Sequence, residues 1–159
     1  MKRLIFLLIT MLLPMVAMAE EVVSTEDNDT TSVVSDGFDE LMKRYSSQPG
    51  CTTRNISNSM FRSMEVSIDA DYMKVISVEN KELIPTFKEQ VEQLIGAYEV
   101  IMSVNSGGES VKIYQKRAEN GSATDLYIST SNADSSVLIH LHGNNLELNN
   151  IGSLINLHN

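Results

Sequence analysis

"YEVIMSVNSGGESVKIYQKR", residues 98–117, is the stretch in which the apolar side chains change their period. In the segment before it, "IPTFKEQVEQLIGAY" at 84–98, Phe87, Val91, Leu94 and Ile95 recur every three or four places, which is one face of a helix. Pro85 sits in the first turn of that helix, where a missing amide costs least, and Gly96 marks its exit. From Glu99 onward the apolar residues follow a strand-like pattern instead. Gly107-Gly108-Glu109 interrupts two such runs and reads as a hairpin connection, since glycine takes positive φ without a steric penalty.

Working outward, "TDLYIST" at 124–130 and "SSVLIHLHG" at 135–143 continue the strand pattern, with turn signals at Asn120-Gly121 and from Asn132 to Asp134. Strands joined by such short turns run antiparallel, so a meander of four strands is expected. Upstream, Phe38, Leu41, Met42 and Tyr45 fall on one helical face. Asp36 is a candidate cap, acids at Asp39 and Glu40 suit the positive end of the helix dipole, and Pro49-Gly50 stops the helix. "CTTRNIS" and "MKVISVEN" read as strands, with a short helix carrying Met60, Phe61 and Met64 between them. The chain closes on a helical spacing of Leu148, Ile151, Leu154 and Ile155. The expected class is α+β: a mostly antiparallel sheet with a C-terminal four-strand meander and helices packed on one face.

The chain has 159 residues and a formal net charge of −9. Lys2 and Arg3, the apolar run from Leu4 to Leu13, Pro14 and the small-x-small site Ala17-Met18-Ala19 have the order of a secretory signal peptide, so residues 1–19 are expected to be removed near Ala19. The apolar run is too short to span a bilayer, and no lipid-bearing cysteine follows the cleavage site. Residues 20–36 carry six acids and no Lys or Arg, which reads as an acidic flexible tether. Residues 37–159 are expected to form a single α+β domain, and carry fifteen of the 21 acids and ten of the 12 bases. No basic stripe for nucleic acid is present. A soluble exported protein, periplasmic or secreted and without membrane insertion after cleavage, is the expectation.

Taken together, "GFDELMKRYSSQPG", "MKVISVEN", "EVIMSVNSGGESVKIYQK" and the closing "LIHLHGN" with "LELNNIGSLI" resemble the domain of unknown function 4252 family over residues 37–158. The resemblance implies small exported proteins of Bacteroidetes-type bacteria, with no assigned activity and no catalytic residues to transfer. Some relatives are lipoproteins; the missing cysteine at the cleavage site departs from them.

His140 and His142 are the residues closest to chemistry. Alternation on a strand puts them on one face with Leu138, while Val137, Ile139 and Leu141 share the other. Two imidazoles could begin a metal site, but no third ligand follows from the spacing: His158 is the one other histidine and Cys51 lies far upstream. The expected arrangement therefore turns Val137, Ile139 and Leu141 toward the helices and leaves the histidines partly exposed. "NSGGES" leads into a strand and not a helix, which suits a turn and not a phosphate cradle. Asp69 and Asp71 read as a solvated loop, Cys51 as a buried small hydrophobe without an activated thiolate, and Met42, Met60, Met64, Met73 and Met102 as core filling.

No catalytic constellation and no cofactor motif is visible. The leading expectation is a non-enzymatic envelope module that binds an envelope protein or a small ligand through a sheet face containing Tyr114, Tyr127 and His140, with a regulatory version engaging a membrane-bound partner. A metal-binding protein or metalloenzyme on His140 and His142 is one alternative, and a structural or assembly component of the envelope is another.

Overall fold

The computed structural model describes residues 37–63, 70–144 and 146, leaving out the side chains of 61–63. The expected signal peptide and tether, Phe61's side chain, Met64, Asp69, His158 and the closing helix beyond Leu146 lie outside the described residues. Within them the chain runs α1 (Gly37–Tyr45), β1 (Cys51–Ser57), α2 (Asn58–Ser63), β2 (Tyr72–Val78), α3 (Ile84–Ile95), β3 (Glu99–Ser106), β4 (Glu109–Arg117), β5 (Ala123–Ser131) and β6 (Ser136–His142). The strands form one six-stranded sheet in the order β1-β2-β6-β5-β4-β3, and every neighbouring pair is antiparallel. This is a mostly antiparallel α+β arrangement.

Local chemistry accounts for the elements. The β3–β4 hairpin closes on Ser106 opposite Glu109, with Gly107 at φ 60° and Gly108 at φ 82°. Two successive positive φ angles match the right-handed twist of the flanking strands, and side chains at both positions would be strained. Pro85 begins α3 as its position in the sequence suggests, and Gly96 caps the other end in the right-handed conformation, its amide donating to the Glu92 carbonyl at 2.8 Å. In α1, acids occupy the first turn and bases the last, both favourable to the helix dipole.

The sheet carries an apolar cluster on each face. Phe38, Leu41 and Tyr45 of α1 and Ile84, Phe87, Val91 and Ile95 of α3 pack with Ile76, Val78, Tyr114, Tyr127 and Leu138. Ile56, Val75, Ile113, Leu126, Val137, Ile139 and Leu141 form the second cluster, together with Ala70 and Leu146. Met60 of α2 packs against this second cluster, so the helices do not all serve one face. Polar ties fasten α3 to the sheet and to α1: Lys112 pairs with Glu92 at 2.8 Å, Tyr114 donates to Glu92 at 3.2 Å, and Tyr45 donates to Gln90 at 3.1 Å.

Two expectations are corrected by this packing. Val137, Ile139 and Leu141 turn away from α1 and α3, while Leu138 and the histidines share the face that those helices cover. The alternation holds, but β6 lies between β2 and β5 with both faces packed, so His140 is fully buried and only His142, at the end of the strand, keeps the expected partial exposure. Met102, expected in the core, is 39% exposed because β3 is the outermost strand. The other described methionines, Met42, Met60 and Met73, do pack against the apolar clusters.

Phe87 has no exposed surface and touches Tyr45 edge-to-face, with ring centroids 4.9 Å apart. Phe87→Ala is expected to cost about 3–5 kcal/mol, as for other buried phenylalanines. Urea unfolding followed by circular dichroism checks this.

Candidate functional site

β5 and β6 together bring an acid between the two histidines. Their hairpin closes on Ser131 opposite Ser136, and the antiparallel register then sets Tyr127 across from His140 and Asp125 across from His142. Alternation puts all four on the face covered by α1 and α3. Asp125 Oδ1 lies 2.8 Å from His140 Nε2 and 2.8 Å from His142 Nδ1, and Thr124 Oγ1 donates to Oδ2 at 2.8 Å. His140 is fully buried, Asp125 is nearly so, and the His142 side chain is 38% exposed. The cluster thus runs from the interior to the surface at the end of β6.

Aromatic rings fix the imidazole planes. Tyr127 stacks on His140 with centroids 4.4 Å apart and planes 9° apart, while Tyr72 stacks on His142 at 5.0 Å and 19°. Phe38 of α1 closes over His140 at 5.2 Å. Two lysines stand across from the cluster: Lys74, opposite His140 on β2, pairs with Asp39 at 2.6 Å and lies 4.8 Å from the Tyr72 ring centre, and Lys116, opposite Asp125 on β4, lies 5.9 Å from the Tyr98 ring centre.

Burial by itself would raise the Asp125 carboxyl. The hydrogen bonds from His140, His142 and Thr124 outweigh it and hold the group well below the usual carboxylate range. The carboxylate form is therefore the one this cluster is built around. Asp125, His140 and His142 also offer ligand atoms that all lie within 4.8 Å of one another, close enough to share one metal ion.

Sequence reasoning named both histidines and missed Asp125 and Thr124. The missing signal was the hairpin register: a connection over 132–135 places Asp125 opposite His142. Tyr114, Tyr127 and His140, expected on an exposed sheet face, are at most 2% exposed, because α1 and α3 cover that face. Cys51 is only half-buried at the start of β1, and burial pushes its thiol up, away from an activated thiolate. Asp71 lies just before β2, while its expected companion Asp69 is outside the described residues.

A second feature sits at the far end of the sheet. Among the described residues β3 pairs with β4 alone, and Val100, Met102 and Val104 are 50%, 39% and 49% exposed. Met102 and Val104 stand opposite Ile113 and Val111 and so extend the second apolar face to the sheet margin. A shift in register between Val100 and Met102 bends the strand there.

These features define a small α+β protein on a six-stranded antiparallel sheet, with one buried Asp–His–His cluster and one apolar edge. The chain belongs to the family described as "Domain of unknown function (DUF4252)", which matches residues 45–154 and so most of the described domain. No curated protein and no solved structure matches it. Among the described residues no helix is long and apolar enough to cross a membrane.

Removing the shared acceptor leaves His140 buried without it, so Asp125→Ala is expected to cost about 1–3 kcal/mol at pH 7. The carboxyl is depressed on folding, so its contribution is complete above the unfolded value near pH ~4 and is lost as the pH falls further. Urea titrations of both proteins at pH 7, 5 and 3 should show the gap held at pH 5 and narrowed at pH 3.

Proposed function

We propose that the chain is a non-enzymatic, exported envelope protein that binds an extended segment of another envelope polypeptide. The observation that carries this reading is the edge of β3, where Met102 and Val104 are exposed on one face, opposite Ile113 and Val111, and Val100 is exposed on the other, opposite Tyr114. An edge strand presents backbone amides and carbonyls to a new strand, and exposed apolar side chains supply contacts for every second residue of the incoming segment. Of the features that blunt natural edges, β3 has no lysine or proline, its one charge, Glu99, is engaged with Arg117 at 3.4 Å, and its register shift lies between Val100 and Met102, leaving Met102 to Ser106 in regular pairing. Export rests on the charged, apolar and small-residue order of the first nineteen residues.

The proposed contact surface is β3 and not the tyrosine and histidine face, which α1 and α3 already cover. A photoreactive residue replacing Ser103, introduced in the intact exporting cell, is expected to crosslink to one other envelope polypeptide. Val104→Lys, at an exposed position, should abolish that crosslink while leaving the fold intact by circular dichroism. Crosslinks only to a second copy of the chain, or equal yield from a photoreactive residue at Glu119 on the opposite turn, would refute the reading.

A further inference from the structure

We infer that Asp125, His140 and His142 form a binding site for a single divalent first-row transition metal of the zinc type. This site is separate from the β3 edge and does not depend on it. Each residue supplies one donor atom, Oδ1, Nε2 and Nδ1 respectively, and all three converge within 4.8 Å. Two imidazoles and one carboxylate suit zinc, cobalt or copper; calcium and magnesium prefer oxygen donors throughout. Three protein ligands with one position left for water is the donor count of an open zinc site, as catalytic sites have, where a closed structural site has four.

The surroundings are those of a prepared ligand set. All three residues project from paired strands and not from loops, so the sheet register fixes their separation. Thr124 holds Oδ2 and orients the carboxylate with Oδ1 toward the imidazoles, the kind of outer contact that positions metal-binding carboxylates. Tyr127 and Tyr72 hold the two ring planes by stacking. The partly exposed His142 gives the ion a route from solvent, while His140 and Asp125 form the floor. Of the two lysines across from the site, Lys74 on β2 pairs with Asp39, and Lys116, opposite Asp125 on β4, reaches over the Tyr98 ring.

When the ion enters, it takes the place of the hydrogen bonds to Oδ1. A neutral imidazole that donates through the nitrogen facing Asp125 moves its proton to its other ring nitrogen and binds metal through the one vacated. In the metal-bound form both imidazoles are neutral, and the carboxylate contributes the single negative charge.

The test uses the purified protein without a polyhistidine tag, stripped with chelator and titrated calorimetrically with zinc chloride. One zinc per chain is expected, and cobalt chloride should give visible absorption bands of low-symmetry nitrogen and oxygen coordination. His142→Ala lies at the surface end of the cluster and should fold, yet weaken zinc binding by more than about 100-fold; Thr124→Val should weaken it by about 10-fold. Calcium chloride should give no heat of binding. The proposal fails if the folded wild-type protein takes up no stoichiometric zinc, or if His142→Ala binds it as tightly as the wild type.

Discussion

Asp125 Oδ1 accepts hydrogen bonds from two imidazoles in a layer otherwise filled by Phe38, Tyr127 and Leu138, and the centre of the sheet depends on that contact. β6 has neighbours on both sides and packing on both faces, so, apart from His142 at its end, it offers its polar side chains almost no water. A polar group carried into such a place must find a partner within the protein or cost several kcal/mol. The β5–β6 register supplies one carboxylate for both rings, and Thr124 restrains it in turn. Helix α1 can then close over the cluster, with Phe38 on His140 and Asp39 on Lys74.

Much of this architecture is legible along the chain because its causes are local. The helical spacing of Phe38, Leu41 and Tyr45, the same spacing from Phe87 to Ile95, and the paired glycines of the β3–β4 turn each act over a few residues, and the elements fall where those patterns put them. Strand alternation also sorted β6 correctly into its two sets of side chains. What periodicity lacks is an absolute direction. Two apolar sets alternating on one strand look alike, and only the long-range pairing of β2 with β6 decides that both are covered.

The site was half visible for the same reason. Two histidines two places apart are a local pattern; Asp125 belongs with them only through a hairpin register counted from Ser131 and Ser136. Met102 shows the converse. Its neighbours give it the look of a core residue, and its exposure follows from β3 being last in the sheet, a property of strand order. The sheet therefore has a mostly buried polar cluster that reaches the surface at the end of β6, and an open apolar margin at β3.

The strand order has a consequence for how the molecule comes to be folded. β2 is made early, yet its inner neighbour is β6, the last strand of the described chain, and β3 to β5 are threaded between them in sequence. The β1–β2 pair must wait with one margin bare until the whole meander exists to dock beside it. Such distant pairing pays its loop-closure entropy before any contact rewards it, which slows assembly. A chain released short of β6 would keep two half-sheets with bare margins, each open to joining a stranger.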